Sequence, residues 1–322
     1  MIPPSRLDRL QSGIDAERRR IVEIGRFIHA HPEEGYREYE ACERLTAYLE
    51  QLGFAVTRPY AGLPTAFRAV YKGKKTKPRI AVLAEYDALA GLGHGCGHNL
   101  ISTAALAAAA GVAACGRLPG QFELIGTPAE ETTAGKAAMV AAGAFQHLDA
   151  AIMTHPSVEN KIAVGCTANR RFTATFRGKA AHAAGAPEAG INALDAAILF
   201  FNSVNALRQH LREDARIHGI ITHGGEAENV IPERAQVRMG VRSLDEEYLE
   251  TLRKRVAACC RSAAKAVGGR VSVQWDKHMY RAFRINRALD QVVLTGYETA
   301  GIRLRQGDGC EGRGSLDMAN VS

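Results

Sequence analysis

Hydrophobic residues recur every three or four positions through residues 5–30, which is the spacing of one face of an α-helix. A second helix is predicted from about Glu38 to Leu52, because Gly53 follows its last apolar position. Three later stretches are mostly apolar and too short for helices, so they predict buried strands. They are residues 80–84, 122–126 and 150–153.

A polar cluster follows each of these predicted strands. The clusters are Asp87 with residues 94–98, then Glu130 with Glu131, then His155. Because the strands alternate with predicted helices, the expected fold class is α/β with a mainly parallel sheet. Ligands gather at the carboxyl ends of the strands in such sheets. The pattern therefore predicts one functional site built from all three clusters.

The pattern changes from about residue 165. Residues 171–176 alternate apolar and polar positions, as a half-exposed antiparallel strand does. A helix, two strands, a helix and a strand are predicted next, which gives a small α+β domain of order βαββαβ. These elements cover residues 192–211, 217–222, 235–242, 246–267 and 270–275. We expect residues 165–276 to be a second domain, inserted between residues 1–164 and 277–322 of the first.

The composition is that of an ordinary globular protein. The chain has 322 residues, of which 46% are hydrophobic and 23% charged. The 41 basic and 34 acidic residues give a net charge of +7, but the basic residues are scattered without aromatic neighbours. This distribution argues against a nucleic-acid partner and admits an anionic substrate. Seven irregularly spaced cysteines and the absence of a signal-peptide or membrane-span pattern predict a cytoplasmic protein without a membrane partner.

His94, Cys96 and His98 alternate with glycines. An extended backbone would direct all three side chains to one side, and glycine lets the chain bend around an ion. A metal ion would also hold Cys96 as the thiolate, which is the form that ligates. The alternative is a flexible turn carrying an ordinary thiol, and the trio alone does not decide between the two.

Glu130 and Glu131 are adjacent carboxylates that repel each other when both are charged and removed from water. The repulsion is relieved if one binds a metal ion while the other holds a proton taken from water. A solvated acidic turn is the alternative, but the position after an apolar strand, matched by His155 after the next, favours a metal site. Thiolate and imidazole suit Zn²⁺, while the carboxylates also admit Mn²⁺ or Co²⁺. The nearby Gly135-Lys136 lacks the earlier glycine of a phosphate-binding loop.

Two motifs carry a resemblance to a known family. They are Ala84-Glu85-Tyr86-Asp87-Ala88-Leu89 and Gly95-Cys96-Gly97-His98-Asn99. With the Glu130-Glu131 pair, they resemble the di-metal aminoacylase and glutamate-carboxypeptidase family of metallopeptidases. The most similar branch includes hippurate hydrolases, auxin-conjugate hydrolases, p-aminobenzoyl-glutamate hydrolase and dipeptidases acting on β-alanyl or lysyl dipeptides. The resemblance extends from His31-Pro32-Glu33 to Ser315-Leu316-Asp317-Met318.

The resemblance implies a site with two divalent metal ions, zinc or manganese, with cobalt possible. It implies four ligands, which are Cys96, His98, Glu131 and His155. It also makes Glu130 the general base and gives Asp87 a supporting role in catalysis. His94 lies outside the family's ligand pattern and is expected either to support the ligands or to be structural.

The inserted domain carries the family's lid motif, Gly178-Lys179-Ala180-Ala181-His182-Ala183-Ala184. By resemblance, His182 stabilises the tetrahedral oxyanion, often across a dimer interface. Asn229, in Asn229-Val230-Ile231-Pro232, matches a residue that contacts substrate, and Arg242 is placed to bind a carboxylate. A homodimer formed through the lid domain is therefore expected.

Two departures from the family pattern affect the expectation. Ala90 stands where the branch usually has proline, which loosens one loop. The family's last histidine ligand belongs to a segment beyond Ser315–Ser322, so one metal ion is expected to lack a ligand.

The main hypothesis is a metal-dependent amidohydrolase that cleaves dipeptides, N-acyl amino acids or aminobenzoyl-glutamate-like amides with a free carboxylate. The alternative is a truncated or inactive homologue that acts as a dimerising or binding module.

Overall fold

The computed structural model describes residues 4–116, 118–162, 165–304 and 314–322. The chain divides into two compact units. The first takes the described residues of Met1–Lys161, Tyr297–Arg305 and Asn320–Ser322, and the second those of Ile162–Gly296 and Gln306–Ala319. The domain boundaries expected near residues 164 and 276 stay a prediction, and residues 305–313 of the expected third segment lie outside the described residues.

The first unit alternates helices and strands. In chain order its elements are α1 (Pro4–Ala30), α2 (Tyr39–Gln51), β1 (Ala55–Thr57), β2 (Phe67–Tyr71), β3 (Arg79–Ala84), α3 (His98–Ala114), β4 (Gln121–Gly126), α4 (Glu130–Thr133), α5 (Gly135–Ala141) and β5 (Ala150–Ile152). The expected helices and the three apolar strands are all present. The Ala-rich helix α3 begins at His98, the last residue of the 94–98 cluster.

The sheet of the first unit has the order β1-β2-β4-β3-β5. Strand β3 lies between β4 and β5 and is parallel to both, with Val82 opposite Leu124 on one side and Ile152 on the other. The α/β fold class is thereby confirmed. Strands β1 and β2 add an antiparallel edge that the hydrophobic pattern did not predict, because β1 is mostly exposed and Arg68 interrupts the apolar run of β2.

Helices α1 and α3 pack very closely in the core of this unit. A Cβ added to Gly13 would lie 2.2 Å from the Cβ of Ala114, and one added to Gly111 would lie 2.9 Å from Leu10. The glycines and alanines therefore permit a separation that larger side chains would prevent. This explains why the alanine-rich α3 is a buried helix that begins beside the polar clusters.

The second unit contains an antiparallel sheet covered by helices. Its elements include β6 (Ala168–Arg177), a 3₁₀ turn (Pro187–Ala189), α6 (Ala193–Arg208), β7 (Arg216–His223), β8 (Arg234–Ser243), α7 (Glu246–Ala266) and β9 (Arg270–Trp275). The strand order is β7-β8-β6-β9, and every pair is antiparallel. The predicted βαββαβ order is confirmed. Helix α8 (Arg287–Thr299) and a 3₁₀ turn (Asp317–Asn320) follow in the chain.

Alternation along β6 places Phe172, Ala174 and Phe176 in the core between the sheet and the helices. Helix α6 is capped by Asn192, whose side chain accepts from the backbone N–H groups of Leu194 and Asp195. No helix among the described residues is both long enough and apolar enough to pass through a lipid bilayer.

Candidate metal centre

Three loops meet at the carboxyl edge of the parallel strands. Glu85 and Asp87 follow β3, Glu130 and Glu131 follow β4, and His155 follows β5. Because β3 is flanked by β4 and β5, the loops leave neighbouring strands on the same side. The sheet therefore brings together polar clusters that are spread between residues 85 and 155 of the sequence.

His98 is oriented by Asp87. Its Nδ1 lies 2.9 Å from Oδ1 of Asp87, and both side chains are buried. Since a carboxylate only accepts hydrogen bonds, Nδ1 carries the proton and Nε2 presents its lone pair. The other oxygen of Asp87 accepts from the backbone N–H of Glu131 at 2.9 Å. One buried carboxylate thus fixes both His98 and the turn that carries the Glu130-Glu131 pair.

Two groups of side chains offer metal-ligand atoms that lie within 4.8 Å of one another in each group. Cys96, His98 and Glu131 form one group, and Glu85, His98 and His155 form the other. The four predicted ligands are therefore brought together, with His98 common to both groups. Glu85 joins them although the sequence assigned it no role.

The donor groups contain buried carboxylate oxygens whose negative charge a cation would balance. Nε2 of His98 lies 3.4 Å from Oε2 of Glu85 and 3.7 Å from Oε1 of Glu131. Within the described residues, both of these carboxylate oxygens are buried without a hydrogen-bond partner. Buried unsatisfied oxygens are costly, and a divalent cation would satisfy them together with the thiolate and imidazole donors. The residues present thus fit a metal ion.

The pKa values follow from the same crowding of acidic groups. Burial and the adjacent Glu131 carboxylate raise the pKa of the Cys96 thiol to about 12. Burial opposes a charge on His98, yet the hydrogen bond with Asp87 and the charge of Glu85 raise the pKa of this ring to about 9. Both raised pKa values indicate that the site favours bound protons when no other cation is present. A metal ion would replace these protons.

His155 is held beside His98 by backbone packing. Its Nδ1 lies 2.9 Å from the carbonyl oxygen of Pro156, so Nε2 is the nitrogen available to a metal. The ring centroids of His98 and His155 are 6.0 Å apart. Gly97 permits this approach, because its φ is +75° and an added Cβ would lie 3.0 Å from Cγ of Pro156.

Of the two backbone forms considered for residues 94–98, the structure has the turn and not the extended segment. The segment forms a turn in which the N–H of Gly97 donates to the carbonyl of His94 at 3.1 Å. The side chains of a turn do not all point to one side, and His94 lies outside both donor groups, with its ring 6.3 Å from that of His29. The structural role expected for His94 agrees with this position.

Glu130 begins the short helix α4 and is only 6% exposed, and it belongs to neither donor group. The preceding residue, Ala129, has a left-handed backbone with φ of +60°. This costly conformation is held by buried Glu38, whose Oε1 accepts from the N–H of Ala129 at 2.8 Å. Oε2 of Glu38 accepts from Oγ1 of Thr65 at 2.7 Å, and burial raises the pKa of Glu38 to about 7.

Sequence reasoning missed three buried charged residues of this unit: Glu38, Glu85 and Lys136. Lys136 and Glu85 form an ion pair in which both side chains are fully buried. Lys136 could have been identified from the sequence, because a lysine within the alanine-rich stretch 134–144 needs a counter-charge if that stretch is buried. Glu85 precedes Asp87 by two positions after a buried strand, which is the spacing of a second inward-facing carboxylate.

The remaining predicted site residues lie in the second unit. His182 and Asn229 lie on paired segments, because Ala183 donates its backbone N–H to the carbonyl of Asn229 at 2.9 Å. Both residues are exposed. Nδ1 of His182 accepts from the N–H groups of Ala184 and Gly185 at 3.2 and 3.1 Å.

Arg242 lies on β8 and is half-buried. Its Nε donates to Nε2 of His218 at 3.0 Å. Burial and the charge of Arg171 lower the pKa of the Arg242 guanidinium. An anion near Arg242 would reduce this repulsion between two cations, which makes the position suited to a carboxylate.

Comparison with known proteins gives consistent matches over most of the chain. Residues 168–267 match the model of a peptidase dimerisation domain. The chain is 37% identical to the Xaa-Arg dipeptidase of Mus musculus, over 96% of this chain and 75% of that protein. It is 36% identical to one of the subunits of the p-aminobenzoyl-glutamate hydrolase of Escherichia coli K12, over 88% of this chain and 63% of that protein.

A solved structure from Bacillus subtilis, described as a dinuclear metal-binding peptidase of the M20 family, has the same fold with a TM-score of 0.70. The alignment covers 95% of this chain and 86% of that one, at 20% sequence identity. At 20% identity this similarity shows only that the fold is the same. The relatives above 35% identity show that the chain is homologous to them.

Proposed function

The chain belongs to the M20 family of metallopeptidases and is a metal-dependent amidohydrolase, and from this premise we propose that it cleaves the amide bond of a small substrate bearing a free carboxylate. The substrate classes are dipeptides, N-acyl amino acids and aminobenzoyl-glutamate-like amides. The names of the two relatives above 35% identity, a dipeptidase and a p-aminobenzoyl-glutamate hydrolase, support this range. The observation that carries the proposal is the pair of donor groups around His98 with the buried carboxylate of Glu130 beside them.

Proteins of this family use divalent metal ions. We propose that this chain binds two, which are zinc or manganese, with cobalt as a further possibility. Cys96, His98, Glu131 and His155 would hold them. When bound, such ions polarise an amide carbonyl and make a water molecule acidic near neutral pH. Asp87 keeps Nε2 of His98 directed at the donor groups and holds the backbone of Glu131 in place.

Glu130 acts as the general base and then as the general acid. It accepts the proton that the attacking water releases, and it donates that proton to the nitrogen of the leaving amine. The left-handed turn at Ala129, held by Glu38, immediately precedes Glu130 and fixes the backbone from which it starts.

Residues of the second unit bind the substrate. Because Nδ1 of His182 accepts two backbone hydrogen bonds, the neutral ring carries its proton on Nε2, which is then a donor for the oxyanion. Arg242 binds the substrate carboxylate through its guanidinium, and Asn229 supplies a polar contact. The positive net charge of the chain favours the approach of an anionic substrate.

The second unit also forms a homodimer in this proposal. Its edge strand β7 is mostly exposed, with Ile220 at 62% and Ile221 at 41%. An exposed apolar edge strand is a template for pairing with another chain. Sedimentation equilibrium of the wild type should give a dimer and Ile220→Lys a monomer, while a monomeric wild type would contradict this part.

The activity is tested with purified protein, loaded with Zn²⁺ or Mn²⁺, on a panel of dipeptides, N-acyl amino acids and p-aminobenzoyl-glutamate. We expect release of the free amine from at least one class, abolished by a chelator and restored by the metal. Elemental analysis should find two ions per chain. Fewer than one ion per chain and no hydrolysis in any class would favour a dimerising or binding module instead.

A further inference from the structure

We propose that Glu85 is a direct ligand of the metal centre, binding through Oε2, and that Lys136 holds it in that position. The inference rests on the proposed metal-dependent function and adds a fifth protein ligand to the four that the sequence indicates. The side chains of Glu85 and Lys136 are both completely buried. The fold therefore places a buried ion pair at the edge of the donor groups.

The orientation of His98 gives the first reason. Asp87 fixes a proton on Nδ1, so Nε2 is the nitrogen that faces Oε2 of Glu85, only 3.4 Å away. Two lone pairs that face each other in a buried site repel, unless a proton or a metal ion lies between them. Glu85 is thus directed at the same cation as His98.

The distance gives the second reason. Two donors that bind one ion tetrahedrally at about 2.0–2.1 Å lie about 3.3–3.4 Å from each other. The separation of Nε2 and Oε2 is 3.4 Å. A direct hydrogen bond between a ring nitrogen and a carboxylate would normally be shorter, at about 2.7–2.9 Å. The pair therefore has the spacing of two ligands of one ion.

Lys136 gives the third reason, because its Nζ pairs with Oε1 and not with Oε2. Oε2 is buried and has no hydrogen-bond partner among the residues that the structure describes. The ammonium group also offsets part of the negative charge of Glu85, Asp87, Glu130 and Glu131. If Oε1 of Glu85 binds Lys136 and Oε2 binds a metal ion, both oxygens of this buried carboxylate have a partner.

The rival explanation is that Glu85 serves only as the counter-ion of Lys136. A double variant, Glu85→Gln/Lys136→Met, separates the two explanations, because it removes the ion pair without leaving a buried charge unpaired. The single variant Lys136→Met keeps the carboxylate. The matched control is Arg68→Met/Glu123→Gln, which makes the same kind of change in an ion pair of the same sheet outside the donor groups.

The readout is the binding of Zn²⁺ and Mn²⁺ to metal-free protein by titration calorimetry, with the ions per chain counted by elemental analysis. Removing outer partners of metal ligands already costs about 10–100-fold in affinity, so the double variant should bind one ion about 100-fold more weakly or lose it. Lys136→Met removes an outer partner of Glu85 and should weaken binding by about 10-fold with two ions still bound, whereas the control pair should stay within a few-fold of wild type.

An unchanged affinity in the folded double variant, beside a wild type that binds two ions, would overturn the role of Glu85 and leave the proposed function intact. A wild type that binds neither ion would overturn both. If the double variant does not fold, Glu85→Asp replaces it, because it keeps a carboxylate for Lys136 and withdraws Oε2 by one methylene. The same loss of affinity is then expected, and an unchanged affinity again overturns the proposal.

Discussion

The donor groups of the first unit and the His182–Asn229 segments of the second unit are built in opposite ways. The donor groups lie beside the ends of the parallel strands, and their shared residue His98 and its partner Asp87 are each about 1% exposed. His182 and Asn229 are exposed, and backbone hydrogen bonds hold their segments together. We therefore expect metal binding to be coupled to the stability of the first unit. Substitution of the exposed His182 or Asn229 should have little effect on folding.

The largest expected effect is on the chemical step. Glu130→Gln keeps the shape of the side chain but removes the group that accepts and returns the proton, so kcat should fall about 10²–10⁴-fold. Metal content by elemental analysis should stay at the wild-type value, because Glu130 lies outside both donor groups. Glu50→Gln, an exposed position on α2, is the control and should be neutral. A loss of kcat smaller than about tenfold would remove Glu130 from its proposed role.

The second prediction tests whether an exposed residue supports catalysis without supporting the fold. His182→Ala removes the proposed oxyanion donor and should lower kcat by about 10²–10³-fold, with a much smaller change in KM. The urea midpoint and the metal content should match those of wild type, since the side chain is exposed. His210→Ala, at another exposed histidine of the same unit, should leave kcat unchanged. Equal losses in both variants would contradict a specific role for His182.

The third and smallest effect concerns stability and pH. Burial raises the pKa of Glu38 from 4.5 to about 7 in the folded chain. Below about pH 4.5 this carboxyl is protonated in both the folded and the unfolded states. As the pH rises towards 7, the unfolded chain loses the proton first, so the contribution of Glu38 to stability falls by on the order of 3 kcal/mol.

Glu38→Gln should remove this fall while keeping an oxygen for the N–H of Ala129. Urea unfolding of both proteins between pH 4.5 and 8 measures the difference, which should favour the variant increasingly up to about pH 7 and then stay constant. A constant difference over the whole range would show that Glu38 ionises normally in the folded chain.

Much of the fold follows from local pattern. Helical spacing in residues 5–30 and the three apolar runs predict α1, β3, β4 and β5 correctly, because burial of one face is a property of the sequence itself. Strands β1 and β2 were missed, because β1 is mostly exposed, Arg68 interrupts the apolar run of β2, and the pairing of β2 with β4 joins residues more than 50 positions apart.

The sequence by itself determined the family, the two kinds of domain and the residue types able to hold a metal ion. Only the tertiary structure decided that residues 94–98 form a turn, that Asp87 orients His98, and that Glu85 and Lys136 lie against the donor groups. The physical reason is that donor geometry and buried charge pairing depend on contacts between residues tens of positions apart. A linear pattern records which side chains are present, and the packed sheet decides which of them face the same ion.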